Sequence, residues 1–142
     1  MKTILYITFI LIFLSSCVGG LGLAVNERIT GNYYLVAADD IEQLSLSYHT
    51  EDMEDIYGTV VGETVFAVGF NNHYIIVKQH PNIDFKVDKT ITNYYILPLK
   101  EKINWENING LMGPLRFNEF NQKRKELNIE DLEFTINYKD LE

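Results

Sequence analysis

Hydrophobic and polar positions alternate along this chain in blocks that predict strands over most of its length and one helix near its end. Leu44, Leu46 and Tyr48 alternate with Ser45, Ser47 and His49, the period of two that marks a strand with one buried and one solvated face. Ahead of it, residues 32–38 are rich in β-forming side chains, and Asp39-Asp40-Ile41-Glu42 supplies a turn between the two. Residues 65–79 form the clearest element, two apolar runs flanking Asn71-Asn72. Asn tolerates the positive φ that a two-residue hairpin turn requires. With those two as the turn, Phe70 opposes His73, Val68 opposes Ile75 and Phe66 opposes Val77. The other face, from Val65, Ala67 and Gly69 to Tyr74, Ile76 and Lys78, is also mostly apolar. Such a hairpin belongs inside a sheet or is covered on both sides. Residues 92–99 read as a further strand, with Pro98 marking its end or an edge.

The pattern then changes. Residues 100–109 hold Ile103, Trp105 and Ile108 among polar neighbours, a short helix or turn broken by Gly110 and Gly113-Pro114. Over residues 117–127 the spacing predicts a helix with Phe117, Phe120, Arg124 and Leu127 on one side. The Arg124 stem can cover apolar surface while its head stays wet, and Lys123-Arg124-Lys125 suits a helix C-terminus. Leu132, Phe134, Ile136 and Tyr138 alternate with Glu133, Thr135 and Asn137, a final amphipathic strand. Together these elements predict an α+β fold: an antiparallel β-meander packed by a C-terminal helix, with a last strand returning to the sheet.

The N-terminus has a different character. Lys2 precedes an apolar run over residues 4–14, broken only by Thr8 and followed by Ser15-Ser16-Cys17. That is the layout of a secretory signal, and the run is short for a membrane-spanning helix, which needs about 20 apolar residues. Leu14-Ser15-Ser16-Cys17 resembles the lipobox of bacterial lipoproteins. The resemblance implies cleavage between Ser16 and Cys17 and lipid, palmitate among it, on the Cys17 sulfur. The alternative is a plain signal peptide, or a short buried hydrophobic segment, with Cys17 incidental. No other cysteine competes for the role. Three glycines among residues 18–23 suggest a flexible tether. The expected organisation is therefore a signal peptide over residues 1–16, lipidated Cys17 and tether over 17–28, and one globular domain over 29–142. The protein is expected to face the periplasm from a membrane, the outer membrane by preference, or the outer side of a single membrane.

Composition narrows the picture further. The remainder after the signal, roughly 125 residues, suits one domain, and 46% hydrophobic content is enough for a core. The single cysteine leaves no internal disulfide. Net charge is −8, and loss of Lys2 makes the mature body more negative. A body this acidic repels phosphate backbones, which argues against nucleic acid as a partner.

The body also resembles a set of small uncharacterised bacterial lipoproteins grouped as a domain of unknown function. The segments that carry the likeness are Gly31-Asn32-Tyr33-Tyr34, Tyr74-Ile75-Ile76-Val77-Lys78-Gln79, Tyr94-Tyr95-Ile96, and Gly113-Pro114-Leu115 leading to Glu119-Phe120 and Lys123-Arg124-Lys125-Glu126-Leu127. In such segments Thr or Ser often follows Gly-Pro-Leu as a helix cap; here Arg116 stands there. The resemblance implies no activity.

Chemistry-bearing motifs are sparse. His49, His73 and His80 lack ligand spacing and read as surface or strand-end residues. Glu51-Asp52-Met53-Glu54-Asp55 lacks the alternation of a calcium loop and reads as a solvated loop. Ser45 and Ser47 lie in a strand without a nucleophile elbow. No cofactor or metal site is expected. Tyr33, Tyr34, Tyr48, Tyr74, Tyr94, Tyr95 and Tyr138 read first as half-buried sheet residues and second as an interaction surface. The expected function is a non-enzymatic binding module on the envelope, with membrane contact through Cys17 and an envelope protein as partner. The alternative is an acidic inhibitor of a cationic toxin or hydrolase.

Overall fold

The computed structural model describes residues 22–50 and 56–142. The predicted signal, Ser16, Cys17 and the acidic run 51–55 lie outside the described residues. Among the described residues, eleven strands and one α-helix follow in chain order. They are β1 (Val25–Thr30), β2 (Tyr33–Ala37), β3 (Ser45–His49), β4 (Tyr57–Val61), β5 (Val65–Phe70), β6 (Tyr74–Gln79), β7 (Asn82–Ile83), β8 (Lys86–Val87), β9 (Asn93–Pro98), β10 (Met112–Leu115), α1 (Phe117–Glu126) and β11 (Ile136–Asn137). The first strand begins at Val25, inside the stretch read as tether, because its pairing with β2 runs back to Val25 opposite Ala37.

The α+β reading holds: antiparallel meander strands are followed by one helix and a late strand. What the pattern left unseen is that the strands divide into two main sheets. One has the order β1-β2-β3-β4, the other β10-β9-β6-β5-β11, and β7 and β8 pair separately as a small hairpin. Leu35, Leu46, Tyr33 and Tyr48 of the first sheet, with Leu44 just ahead of β3, share one buried cluster with Val65, Val68, Ile75, Val77 and Leu97 of the second. The far face of the second sheet carries Ile76 and Ile96, which pack with Phe120, Ile129 and Leu132. The hairpin β5–β6 is thus apolar on both faces because both are covered, by the first sheet and by α1 with the segment after it.

Three local expectations are corrected. The β5–β6 register pairs Phe70 with Ile75 and Val68 with Val77, displaced from the predicted pairs. The Asn71 side-chain Oδ1 accepts from the His73 and Tyr74 backbone N–H groups at 2.8 and 2.9 Å, and this side-chain closure moves the turn one residue on. Ser45 and Ser47, expected on a wet face, are 9% and 2% exposed; Ser47 Oγ lies 3.1 Å from Ser45 Oγ, which donates to the Val36 carbonyl. The Arg124 head is not left to water alone. Its guanidinium donates to the carbonyls of Ile129, Glu130 and Leu132, while its charge lies 5.4 Å from the Phe120 ring centre. It fastens the chain that follows α1 to the helix.

The strand expected over residues 132–138 is shorter, yet Thr135 and Tyr138 N–H groups still donate to Val68 and Phe66 carbonyls on either side of β11. The helix starts directly after Arg116, whose backbone N–H donates to Glu119 Oε2 at 2.8 Å. A carboxylate at the third helical position thus supplies the returning half of a capping box, at a helix whose N-cap carries no hydroxyl. Among the described residues no helix is long and apolar enough to cross a membrane.

Candidate functional site

The two sheets leave the molecule with two distinct ends. At one, the β1–β2 turn at Gly31 (φ 54) sets Asn32 and Tyr33 beside Tyr48 and the loop that leaves β9. Tyr33 is 2% exposed, so its hydroxyl needs a partner inside the protein. Asn109 provides it, donating from Nδ2 at 3.1 Å. Asn109 is itself 2% exposed, holds a positive φ of 59°, and accepts the Asn104 N–H at 2.9 Å. One buried amide therefore ties the β9–β10 connection to the first sheet. Burial pushes the Tyr33 hydroxyl above its ordinary pKa of 10.0 and the Asn109 hydrogen bond works against that.

The tied loop carries Trp105. The indole lies over Gly58 on β4, where an added Cβ would stand 2.1 Å from the ring. Only glycine leaves room for it. Tyr48 meets the indole edge-on, with ring centres 6.2 Å apart at 84°, and meets Tyr33 in the same manner at 5.0 Å and 73°. Despite these contacts Trp105 remains 45% exposed. Two adjoining hollows of about 230 and 260 Å³ result. They share Asn32, Tyr48 and Glu101; Trp105 and Thr50 close one side, Leu99 and Lys100 the other. The arrangement offers a ring face, hydroxyl and amide groups, and the mixed charges of Lys100, Glu101 and Lys102.

On the outer face of the first sheet, Tyr34, His49 and Tyr57 form a second aromatic group with centroid separations of 5.2–6.1 Å. The Tyr57 hydroxyl accepts from Asn26 Nδ2 at 3.1 Å.

The tyrosines singled out from the sequence divide accordingly. Tyr33 and Tyr48 are core residues at the cleft, and Tyr34 belongs to the outer group. Tyr74 and Tyr94 pack on the helix side, the Tyr95 hydroxyl donates to Gln79, and Tyr138 donates to Glu27. The histidines also part company. His73 is exposed at the hairpin turn, whereas His80 stands at a strand end, directly after β6, and is 4% exposed rather than on the surface. It stacks on Phe66 at 4.2 Å, its Nδ1 lies 2.7 Å from the Ile91 carbonyl, and its buried Nε2 has no hydrogen-bond partner among the described residues. Trp105, Gly58 and Asn109 were not singled out. The one signal available was a large aromatic in a polar, aperiodic stretch.

Residues 30–142 match a family described as "Protein of unknown function (DUF3997)". No curated protein and no solved structure matches the chain.

Proposed function

From the premise that the chain belongs to the DUF3997 family, we propose that it is a membrane-anchored bacterial lipoprotein whose domain is a non-enzymatic binding module. Lipid on Cys17 holds it to the envelope, and a protein partner docks at the Trp105 cleft. The observation that carries the reading is the exposed indole, 45% accessible, held rigidly over Gly58. A large aromatic fixed in place with its face to solvent loses little conformational freedom on binding, which is why Trp and Tyr dominate interface energetics. The small hollows beside it suit side chains of a partner.

The anchor and the cleft are tested separately. Palmitate labelling should mark the wild-type chain, disappear in Cys17→Ser, and leave an unprocessed precursor under globomycin; an unlabelled, normally processed chain contradicts the anchor. Affinity capture from envelope extract should recover a protein with wild type and lose it with Trp105→Ala. Equal recovery by the two contradicts the cleft.

A further inference from the structure

We infer that the β7–β8 hairpin is a foot that rests the domain on a lipid bilayer, with Ile83 and Phe85 seated in the interfacial layer; this depends on the proposed Cys17 anchor. Asp84 and Phe85 form the tip of the hairpin, between the pairs Asn82–Val87 and Ile83–Lys86. Both tip residues have positive φ, 50° and 62°. Asp accepts this conformation, whereas a bulky Phe pays a steric penalty there. The Phe85 side chain gains nothing from the fold in return, being 101% exposed, with Ile83 48% exposed beside it. Folding alone would favour Gly or Asn at position 85. A fully exposed aromatic held at a tight tip is explained by a surface outside the chain.

The position of the chain's entry identifies that surface. The Ala24 N–H donates to the Ala38 carbonyl at 2.9 Å, so the polypeptide enters the domain beside the β2–β3 turn. Asp40 and Glu42 of that turn, with Glu63, line one side of a hollow of about 630 Å³, and Phe85, Lys86 and Lys89 line the other. The hairpin and the N-terminal entry therefore occupy the same end of the molecule. Residues 17–23 can extend at most roughly 25 Å, so a lipid on Cys17 keeps this end close to the bilayer. The Trp105 cleft lies at the opposite end of β2 and β3, near Tyr33 and Tyr48 rather than Ala37 and Ser45, and so points outward. Aromatic and aliphatic side chains with a neighbouring lysine suit the headgroup boundary. The Lys86 side chain has no hydrogen-bond or ion-pair partner among the described residues, while Lys89 donates to the Asp140 and Glu142 carbonyls. The carboxylates Asp40, Glu42 and Glu63 oppose an anionic surface, which commits the foot to zwitterionic lipid.

The test uses the full lipidated chain in phosphatidylethanolamine–phosphatidylcholine vesicles. Acylation of the sole native cysteine leaves an introduced thiol as the only site for a dye. An environment-sensitive NBD label on Ile83→Cys should shift its emission to the blue and be quenched several-fold by doxyl-labelled lipid. The same label on Asn72→Cys, at the far hairpin turn, should stay water-like, and adding Phe85→Asp to Ile83→Cys should return its emission to the water-like value. A vesicle-bound protein whose residue 83 is as wet as residue 72 overturns the foot alone. A blue shift that follows protein density at fixed lipid assigns the hairpin to a second copy and overturns it too. Protein that does not float with the vesicles overturns the anchor, and the foot with it.

Discussion

Trp105 lies across Gly58 so closely that a Cβ at position 58 would stand 2.1 Å from its ring. The two residues come from different elements, one from an irregular loop and one from β4 of the first sheet. Their contact is what gives the exposed indole a fixed orientation. Gly58→Ala should therefore displace the indole, cost about 1–3 kcal/mol through overpacking, and abolish partner capture. Trp105 is the only tryptophan, so its emission reports the displacement directly; an unchanged spectrum and midpoint would refute the contact.

The buried amide beneath the cleft makes a related prediction. Asn109→Ala removes the partner of the Tyr33 hydroxyl and of the Asn104 N–H, and it places Ala at a φ of 59°. Leaving a buried polar group unsatisfied costs about 1–3 kcal/mol. Urea unfolding should show that loss at unchanged m-value. Asn109→Gly keeps the backbone relaxed but still orphans Tyr33, so it should recover only part of the stability.

On the other side of the molecule, Arg124 ties α1 to the chain after it through three backbone carbonyls. Arg124→Met keeps much of the stem and loses those bonds. The expected cost is about 1.5–3 kcal/mol, as for hydrogen bonds to a charged group. Hydrogen exchange should rise at Ile129 and Leu132, whose side chains pack against the second sheet, more than in β2 and β3.

The Tyr138 hydroxyl donates to Glu27 Oε2 at 2.8 Å. Burial, then the hydrogen bond to Glu27 and its negative charge, raise the Tyr138 pKa from 10.0 to about 12. The folded state thus holds this proton more tightly than the unfolded state. Its contribution to stability is complete below pH 10 and is lost as pH rises through about 12. With nine tyrosines in the chain, the measurement is the phenolate absorbance of wild type minus that of Tyr138→Phe. Glu27→Gln should bring the difference titration down in pH, and a midpoint near 10 in the wild type would contradict the pairing.

Much of the fold was legible because it rests on local periodicity. The alternation of Leu44, Leu46 and Tyr48 marks β3, the two-faced apolar pattern of residues 65–79 marks a covered hairpin, and the spacing of Phe120 and Leu127 marks α1. The errors arise where a side chain outside the pattern intervenes. Asn71 closes its own turn and shifts the register, whereas the helix begins at Phe117 as its spacing predicts, with Glu119 bonded back to the Arg116 N–H. Ser45 and Ser47 satisfy each other and the Val36 carbonyl, so polar residues sit buried on a face read as wet. The cleft was harder to foresee. Tyr33 meets Asn109 across 76 residues and Trp105 meets Gly58 across a sheet, so neither pairing has a period or motif.

Docking of a partner on Trp105 is tested most sharply by replacing that residue with a photo-crosslinking benzoylphenylalanine in the full chain, expressed in its native envelope. Benzoylphenylalanine at exposed Glu130, on the helix side of the domain, serves as the control. A discrete crosslinked protein is expected from position 105, absent from position 130 and lost when Gly58→Ala is added. No adduct at position 105, or the same adducts at both positions, would contradict that docking.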